Sequence, residues 1–265
     1  MERVLDCSVI IPVYNRWEYT KTCLEGVLNS DIPVAEVIVV DNGSTDETSK
    51  SLSQMPRVKV LSNSTNLGCA KAWNLGLAAS SETKWKIILN NDVLLPKWFF
   101  SRLLESGEKW GFEFVCPAMR QGEIDYDLDE LSARLRNSLS NNPRVDFFNA
   151  VCFAVQNKVF ETVGTFDENF FFGTYEDTDF FRRVKLAGLT GATVADSFLH
   201  HFGSMTQLAL RKEGNLNYEQ KNRLYYHKKW KTSWIKRKIE KAKFLSRLNK
   251  MEKLERQLAG DVMLK

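Results

Sequence analysis

Three polar residues end a strongly apolar run in the middle of the chain. Asn90, Asn91 and Asp92 directly follow the predicted buried strand Trp85–Leu89. A carboxylate at the end of such a strand suits Mg²⁺ or Mn²⁺, which typically takes one or two carboxylates together with phosphate oxygens and water. The alternative is that Asp92 begins a turn before Pro96, because Asn and Asp favour turns in general.

A second acidic group stands in the later half of the chain. Glu176, Asp177 and Asp179 place three carboxylates within four residues, shortly after the aromatic run at 170–172. Ionised neighbours repel one another unless a cation, a helix N-terminus or solvent compensates. The group is either an acidic first helical turn or the source of a general base in an acceptor-binding pocket walled by the aromatic residues.

Two of the three histidines in the chain are adjacent, at His200 and His201, after a short apolar stretch. They are either ordinary loop residues or candidate metal ligands. The phosphate-binding patterns G-x-x-x-x-G-K-[ST] and G-x-G-x-x-G are absent. A bound diphosphate would therefore need another source of positive charge, and a metal at Asp92 would supply it.

The first hundred residues alternate strands with helices. Strands are predicted at 7–12, 36–40, 58–61 and 85–89, and helices at about 16–29, 45–54 and 69–79. Capping boxes are predicted at Ser44 with Glu47 and, in looser form, at Asn15 with Glu18. This alternation favours βαβ units, with a parallel sheet covered by helices on both faces.

Ligands of such sheets bind outside the carboxyl ends of the strands. Each predicted strand is followed there by small polar or acidic residues: at 13–15, at 41–46, at 63 and 66–68, and at 90–92. We expect these segments to converge on one rim of the sheet.

The remainder of the body is predicted in less detail. A helix and a strand are expected over 98–115, a polar loop over 120–144, a helix from 175 to about 187 capped by Gly188, and a short strand at 192–195. The five cysteines show no C-x-x-C spacing, which predicts buried, reduced thiols.

Charge is distributed unevenly. The net charge of +4 combines thirteen Lys/Arg and four acids after residue 227, a net +9, with −5 on the first 227 residues. Beyond Trp230 apolar residues recur at three- and four-residue steps, predicting a basic amphipathic helix that packs on the body, self-associates or lies on an anionic membrane surface.

No apolar run approaches 18 residues and the first residues do not resemble a secretory signal, which predicts a soluble, cytoplasmic protein.

The order and spacing of these features resemble the family 2 glycosyltransferases over about residues 7–230. The residues that carry the resemblance are Val9-Ile-Ile-Pro-Val-Tyr-Asn15, Val39-Val-Asp-Asn-Gly-Ser-Thr-Asp46, Asn66-Leu-Gly68 with Asn74, Asn90-Asn-Asp92, Val163-Gly-x-Phe-Asp-Glu168, Tyr175-Glu-Asp-Thr-Asp179, His201-x-Gly-Ser204 and Asn222 through Trp230. The resemblance implies the α/β GT-A fold, a Rossmann-like, mostly parallel central sheet flanked by helices. A rhamnosyltransferase-like branch is one alternative within the family.

The resemblance also implies roles for individual positions. Asp177 would be the catalytic base, supported by Glu176 and Asp179, and Asp92 would bind Mn²⁺ or Mg²⁺ with His201, or with His200 if the register differs by one. Asn90 stands where the family's D-x-D motif has its first Asp. The nucleotide-sugar contacts would be Pro12, Tyr14, Asn15, Asp41, Ser44, Asn66, Gly68, Asn74, Asn90 and Asn91.

The implied function is inverting, metal-dependent transfer of a hexosyl or deoxyhexosyl group from a UDP- or dTDP-linked sugar to a glycan or glycolipid hydroxyl, in cell-surface polysaccharide synthesis. Residues 1–117 would bind the donor, 118–230 the acceptor, and 231–265 would form the basic helical tail, which could form a homodimer or contact the inner face of the membrane. The alternatives are a transferase acting on modified DNA or protein and a non-catalytic nucleotide-sugar-binding homologue. Nucleic acid is disfavoured as a partner because the body is acidic.

Overall fold

A computed structural model describes residues 3–203 and 217–265, so Ser204 of the His201-x-Gly-Ser204 motif lies outside the described residues. The strands are β1 Leu5–Val13, β2 Val34–Asp41, β3 Lys59–Ser62, β4 Trp85–Leu89, β5 Val93–Leu94, β6 Phe114–Gln121, β7 Arg144–Val145, β8 Cys152–Gln156 and β9 Gly191–His201. The helices are α1 Trp17–Leu28, α2 Thr48–Leu52, α3 Cys69–Ala79, α4 Phe99–Trp110, α5 Leu128–Leu139, α6 Asn157–Val163, α7 Glu176–Leu186, α8 Tyr218–Lys229 and α9 Trp234–Ala259.

One sheet runs through the molecule in the order β3-β2-β1-β4-β8-β6-β9-β5, with β7 paired to β9. The first four strands are parallel, as predicted. Their side chains alternate between two apolar clusters: Val9 and Ile11 face one side of the sheet and Ile10 faces the other. Burial on both faces explains why these strands read as continuous apolar runs.

The second half of the sheet is mixed. The strand β8 lies antiparallel between β4 and β6, whereas β6 and β9 are parallel to each other. The fold class is confirmed as α/β with a central sheet flanked by helices, and the antiparallel strand is an addition that the sequence did not indicate. Its effect is to bring the carboxyl ends of β6 and β9 to the same edge as that of β4.

Three local predictions were wrong. The segment 120–144 contains α5, whose Leu131, Leu135 and Leu139 form a buried stripe at i, i+4 spacing that pattern reading overlooked among polar residues. In contrast, the strand expected at 192–195 is confirmed and is longer than predicted, because these residues belong to the eleven-residue β9. Ser44 does not cap α2, which begins at Thr48, and Asn15 does not cap α1, where Arg16 holds the N-cap position.

The C-terminal segment packs against the body of the protein. The helix α9 contacts α5, and the residues after it return to β6, where Met119 N–H donates to Met263 O at 2.8 Å and Gln121 N–H donates to Lys265 O at 2.9 Å. The side chains of Val262 and Met263 are buried. The last residues therefore act as a further short strand along β6.

A buried ion pair fixes this arrangement. Arg144, at the start of β7, donates from Nε and Nη2 to the two carboxylate oxygens of Glu255 on α9, at 2.5 and 2.6 Å. Both side chains are almost fully buried, at 1% and 3% exposure. Glu255 also accepts the backbone N–H of Met263 at 2.8 Å, so one carboxylate joins β7, α9 and the C-terminal residues.

A helix is present beyond Trp230, as predicted, but it is not amphipathic: the apolar residues of α9 lie around the helix and not on one face. Seven of them are at least 44% exposed: Trp234, Ile235, Ile239, Phe244, Leu245, Leu254 and Leu258. Within residues 3–203 and 217–265, no helix combines the length and the apolar content needed to cross a bilayer. The five cysteines are free and four of them are buried, as predicted.

Glu255→Gln should lower the free energy of unfolding by about 3–5 kcal/mol, because it leaves the buried guanidinium of Arg144 without its counter-charge. Urea denaturation measures the change. Glu252→Gln is the matched control, since Glu252 contacts Arg256 only at 4.0 Å on the helix surface, and it should change stability by less than about 0.5 kcal/mol. Equal effects of the two variants would contradict a structural role for the buried pair.

Candidate active site

The carboxyl ends of the strands converge on one rim, as the sequence predicts. The end of β1 meets the end of β2, where Asn42 N–H donates to Val13 O at 2.8 Å. The end of β4 meets the loop before β8, where Asn90 N–H donates to Val151 O at 2.8 Å. The end of β9 pairs with β5, which places His201 opposite Val93. The carboxyl-end rim of the sheet therefore brings together most of the residues that the sequence predicts to bind ligand.

Asp41 organises the first part of the rim. Its Oδ1 accepts the Ser44 backbone N–H at 2.9 Å, and its Oδ2 accepts a hydrogen bond from Ser49 Oγ. Ser44 Oγ accepts the Asn15 N–H at 2.8 Å, and Asn15 Oδ1 accepts the Thr45 N–H at 2.7 Å. Tyr14 and Pro12 precede this loop at the end of β1 and are half-buried. The structure thus brings these predicted residues together.

Asn42 is a residue that the sequence reading missed. Its side chain donates to Asn66 Oδ1 at 3.0 Å and accepts the Leu67 N–H at 3.1 Å, which holds the 66–68 loop against the end of β2. Gly68 has φ +87, and an added Cβ would lie 2.8 Å from the Phe172 Cα. The close approach that requires glycine here is therefore to the backbone of the loop before α7.

Two predicted nucleotide-sugar residues point away from the rim. Asn74 uses its amide for Phe166 and Glu168, donating to Phe166 O at 2.9 Å and accepting the Phe166 N–H at 3.0 Å. Asn91 is buried and donates to Thr20 Oγ1 on α1 at 2.9 Å. Both side chains join elements of the fold, and the structure does not bring them to the cleft.

Asp92 and His201 lie side by side. The distance between Asp92 Oδ1 and His201 Nε2 is 3.1 Å, and both side chains are almost fully buried. His200 turns to the other side of β9, where its Nδ1 lies 2.7 Å from Tyr126 Oη. The geometry therefore places His201, and not His200, beside Asp92.

Carboxylate oxygen and imidazole nitrogen both suit Mn²⁺, and two ligands with phosphate oxygens and water would complete a shell. The part of the chain that the structure describes holds no group of three or more His, Cys, Asp or Glu side chains arranged for a metal. The His201 Nδ1 lies 3.3 Å from Gln121 Oε1, a partner that would orient the ring. Asp92 and His201 thus fit a metal whose shell is shared with a ligand.

The loop before α7 is held in an unusual conformation. Phe172, Thr174 and Tyr175 have φ of 54°, 81° and 72°, which is uncommon for residues other than glycine. Asn222 of α8 is fully buried and clamps this loop: it donates to Phe171 O and Gly173 O, both at 2.9 Å, and accepts the Phe171 N–H at 2.9 Å. The clamp fixes the backbone that presents Glu176 and Asp177.

The carboxylate of Asp179 is surrounded by side chains of the protein that bind it. Its fully buried carboxylate accepts Arg183 Nε at 2.9 Å, Lys229 Nζ at 2.8 Å and Trp230 Nε1 at 2.8 Å. Lys229 also reaches Asp167 at 2.6 Å, and this contact, with neighbouring hydrogen bonds, holds the pKa of Asp167 at about 2. These contacts tie α7 to α8 and its C-terminal end, so Asp179 fixes the position of α7.

Glu176 and Asp177 differ in their tendency to ionise. Burial, and then the neighbouring charge of Asp177, raises the pKa of Glu176 to about 8, while backbone N–H groups partly offset the shift. Burial also raises the pKa of Asp177, opposed by hydrogen bonds from Thr178. Two adjacent carboxyl groups in such an environment resist double ionisation, and burial acts most strongly on the pKa of Glu176.

A cleft of about 340 Å³ lies between α3 and α7. It is lined by Asn90 from the end of β4, by Glu176 and Asp177 at the start of α7, and by Cys69 and Trp73 on α3. Burial keeps the Cys69 thiol protonated by raising its pKa well above the ordinary value. The cleft therefore joins the rim to the two carboxyl groups.

Comparisons with known proteins identify the family of this chain. The family model described as glycosyl transferase family 2 matches residues 8–164. An uncharacterized glycosyltransferase of Rickettsia bellii is 34% identical over 170 residues, which are 62% of this chain and 24% of that protein. An uncharacterized glycosyltransferase of Haemophilus influenzae is 31% identical over 102 residues, which are 37% of this chain and 32% of that protein. The chain thus spans about a quarter to a third of these relatives.

Solved structures share the fold. The TarS structure from S. aureus superposes with a TM-score of 0.58 at 18% identity, covering 76% of this chain and 60% of that chain. A GalNAc-T7 structure with UDP, GalNAc and Mn²⁺ gives a TM-score of 0.62 at 17% identity, covering 76% and 44%. Because the family model covers more than half of the sequence, the chain belongs to glycosyl transferase family 2.

Proposed function

We propose that this protein transfers a sugar from a nucleoside-diphosphate sugar to a hydroxyl of a glycan or glycolipid acceptor, with inversion at the anomeric carbon. One observation carries the proposal: a single cleft is lined both by Asn90, two residues before the proposed metal ligand Asp92, and by Asp177. A single displacement needs this arrangement, because the leaving diphosphate and the attacking hydroxyl lie on opposite sides of the transferred carbon.

The names of similar proteins support a nucleotide-sugar donor. TarS has been solved with UDP and with UDP-GlcNAc, and GalNAc-T7 with UDP, GalNAc and Mn²⁺. A stretch of 78 residues is 38% identical to a chondroitin synthase of Escherichia coli. A UDP- or dTDP-linked hexose or deoxyhexose and a cell-surface polysaccharide or glycolipid acceptor are consistent with these relatives.

Asp177 would act as the general base. Its carboxylate would accept the proton of the acceptor hydroxyl as the hydroxyl oxygen attacks, and the neighbouring Glu176, whose pKa burial raises to about 8, would be the protonated member of the pair. Asp92 and His201 would hold Mn²⁺ or Mg²⁺, which when bound offsets negative charge on the diphosphate. Asn15, Asp41 and Ser44 would shape the pocket for the nucleobase, with Asp41 accepting from the base through its remaining lone pairs.

The two halves of the sheet would bind the two substrates. Residues 1–117 would bind the donor and residues 118–230 the acceptor. Residues 231–265 would form a basic extension that is anchored at its C-terminal end by Glu255 and Arg144.

A membrane contact through α9 is part of the proposal. Its first turns expose Trp234, Ile235 and Ile239, at 60%, 63% and 49%, among Lys and Arg side chains. Exposed aromatic and aliphatic groups with basic neighbours favour an anionic lipid surface, where a lipid-linked acceptor would be found. Self-association through the same residues is the competing interpretation.

Asp177→Asn should lower kcat by about 10²–10⁴-fold and leave nucleotide-sugar affinity nearly unchanged, because only the proton acceptor is lost. Steady-state kinetics and a thermal-shift titration with UDP measure the two quantities. Asp179→Asn is the contrasting variant: it should lower the melting temperature, because Lys229 and Arg183 lose a buried counter-charge. Unchanged turnover in Asp177→Asn would exclude the residue as the base.

Asp92→Ala should abolish the gain in UDP affinity that Mn²⁺ produces in the unmodified protein, since the carboxylate is the charged ligand of the proposed site. Isothermal titration of UDP with Mn²⁺ and with EDTA tests this. Asp129→Ala, on the exposed first turn of α5, should retain the effect. An equal UDP affinity with and without metal in the unmodified protein would argue against metal dependence.

The triple variant Trp234→Ser, Ile235→Ser and Ile239→Ser should lose co-flotation with phosphatidylglycerol-containing vesicles, whereas the unmodified chain should float with them and not with phosphatidylcholine alone. Leu224→Ser removes an apolar residue of α8 that is 60% exposed and should not change flotation. If the triple variant floats as well as the unmodified chain, α9 is not the contact. Loss of a dimer in sedimentation velocity would favour self-association.

A further inference from the structure

Gln121 contacts both the proposed metal site and the last residues of the chain. It ends β6 and lies opposite His201 in the parallel pairing of β6 with β9. Its side-chain Oε1 lies 3.3 Å from His201 Nδ1, and its backbone N–H donates to Lys265 O at 2.9 Å. One residue therefore connects a proposed metal ligand with residues 261–265, which we call the C-terminal segment.

Backbone hydrogen bonds hold the C-terminal segment along β6. Met119 N–H donates to Met263 O at 2.8 Å, and Lys265 N–H donates to Met119 O at 3.2 Å. Met263 is fully buried, and its own N–H donates to the carboxylate of Glu255 at 2.8 Å. The segment is therefore paired with β6 like a strand and is also anchored to α9.

A charge contact holds the segment directly beside Gln121. The preceding residue, Arg120, has its Nη2 at 2.7 Å from Asp261 Oδ1, and the two side chains are only 7% and 19% exposed. Among the described residues, β8 pairs with β6 only at Phe114 and Val115 and does not reach this end of β6. Because a strand end that is paired on one side only opens readily, the C-terminal segment supplies the second neighbour that keeps the end of β6 in place.

The contact with Gln121 decides which nitrogen of His201 faces a metal. A histidine ligand binds through one ring nitrogen, and the hydrogen bond at the other nitrogen sets the tautomer and the orientation of the ring. The amide oxygen of Gln121 accepts from Nδ1–H, which leaves the lone pair on Nε2, the nitrogen that lies 3.1 Å from Asp92 Oδ1. A displaced amide would no longer hold the ring in this orientation.

We propose that the C-terminal segment is part of the metal site: it fixes the end of β6, and Gln121 at that end acts as the positioning residue for His201. The inference rests on the proposed function, because it takes Asp92 and His201 as the metal ligands, and it deepens that function by adding residues 261–265 to the site. The family model ends at residue 164, so this support comes from a part of the chain beyond the matched region.

The experiment measures the affinities of the UDP-saturated protein for Mn²⁺ and for Mg²⁺. Electron paramagnetic resonance of the free ion follows Mn²⁺ binding, and competition with Mn²⁺ follows Mg²⁺ binding. Gln121→Leu removes the acceptor for Nδ1–H and should weaken Mn²⁺ binding about 10-fold. Mg²⁺ binding should change much less, since Mg²⁺ takes mainly oxygen ligands. The ratio of the two affinities is diagnostic, because a purely structural defect would weaken the binding of both ions equally.

Three further variants test the contacts on either side of Gln121. Gln121→Glu keeps an oxygen acceptor and should keep the affinity ratio of the unmodified protein. Lys265→Pro removes the backbone N–H that donates to Met119 O, and it should lower the ratio in the same direction as Gln121→Leu but less strongly. Lys265→Ala is the matched control: it removes an exposed side chain, keeps the backbone groups, and should bind both ions as the unmodified protein does.

His201→Ala gives the reference for a lost imidazole ligand. It should lower the affinity ratio at least as much as Gln121→Leu. The double variant should lower the ratio no further than His201→Ala alone, because both substitutions act on the same ligand.

The results that contradict the inference differ from those that contradict the proposed function. If His201→Ala lowers the ratio and Gln121→Leu does not, Gln121 does not position the ligand and the inference fails alone. If Lys265→Pro behaves like Lys265→Ala, or weakens both ions equally, the C-terminal segment is not part of the metal site. If His201→Ala leaves the ratio unchanged, or the unmodified protein binds neither ion with UDP, the metal site of the proposed function fails together with the inference.

Discussion

The geometry of the site depends on one buried charge, the carboxylate of Asp179. An isolated ion in the interior is strongly disfavoured, so Asp179 requires the cations and the indole N–H that surround it. Those partners come from α7 itself and from α8. The contacts of Asp179 therefore hold α7 and α8 together, although about thirty residues separate the two helices in sequence. Because α8 is held there, its Asn222 lies against the loop that precedes Glu176 and Asp177. The position of Asp177, the proposed base, thus depends on the charge of a residue two positions further along the same helix.

Much of the first half of the fold could be predicted because its signals are local. Continuous apolar runs fix the parallel strands, and the carboxyl-end rule then places Asp41, Asn90 and Asp92 on one rim. The second half could not be predicted in this way. The antiparallel position of β8 depends on pairing between strands distant in sequence, and α5 depends on a stripe of only three leucines whose partner surface is β9.

In the candidate site, too, some residues could be predicted from local sequence and others only from the tertiary structure. Residue type and spacing were enough to propose Asp177, Asp92 and His201, and tertiary structure was needed to separate His201 from His200. Asn91 and Asn74 belong to the same motifs, yet their amides bond to Thr20 and to the 166–168 segment. Asn42 lies within the polar segment 41–46, but its contacts with the 66–68 loop follow only from tertiary structure. No local pattern marks Gln121, which meets His201 where two strand ends come together.

The pairing of the C-terminal residues with β6 has a consequence for shortened forms of the protein. Met263 and Lys265 occupy hydrogen-bonding groups of Met119 and Gln121 that would otherwise form an open sheet edge. Such edges recruit strands from other molecules. A chain cut at residue 231 would lose the basic helix and also expose this edge, and it would tend to aggregate. A loss of solubility in such a fragment would therefore come from the uncovered edge of the sheet, and it would not be evidence that α9 binds lipid or forms a dimer.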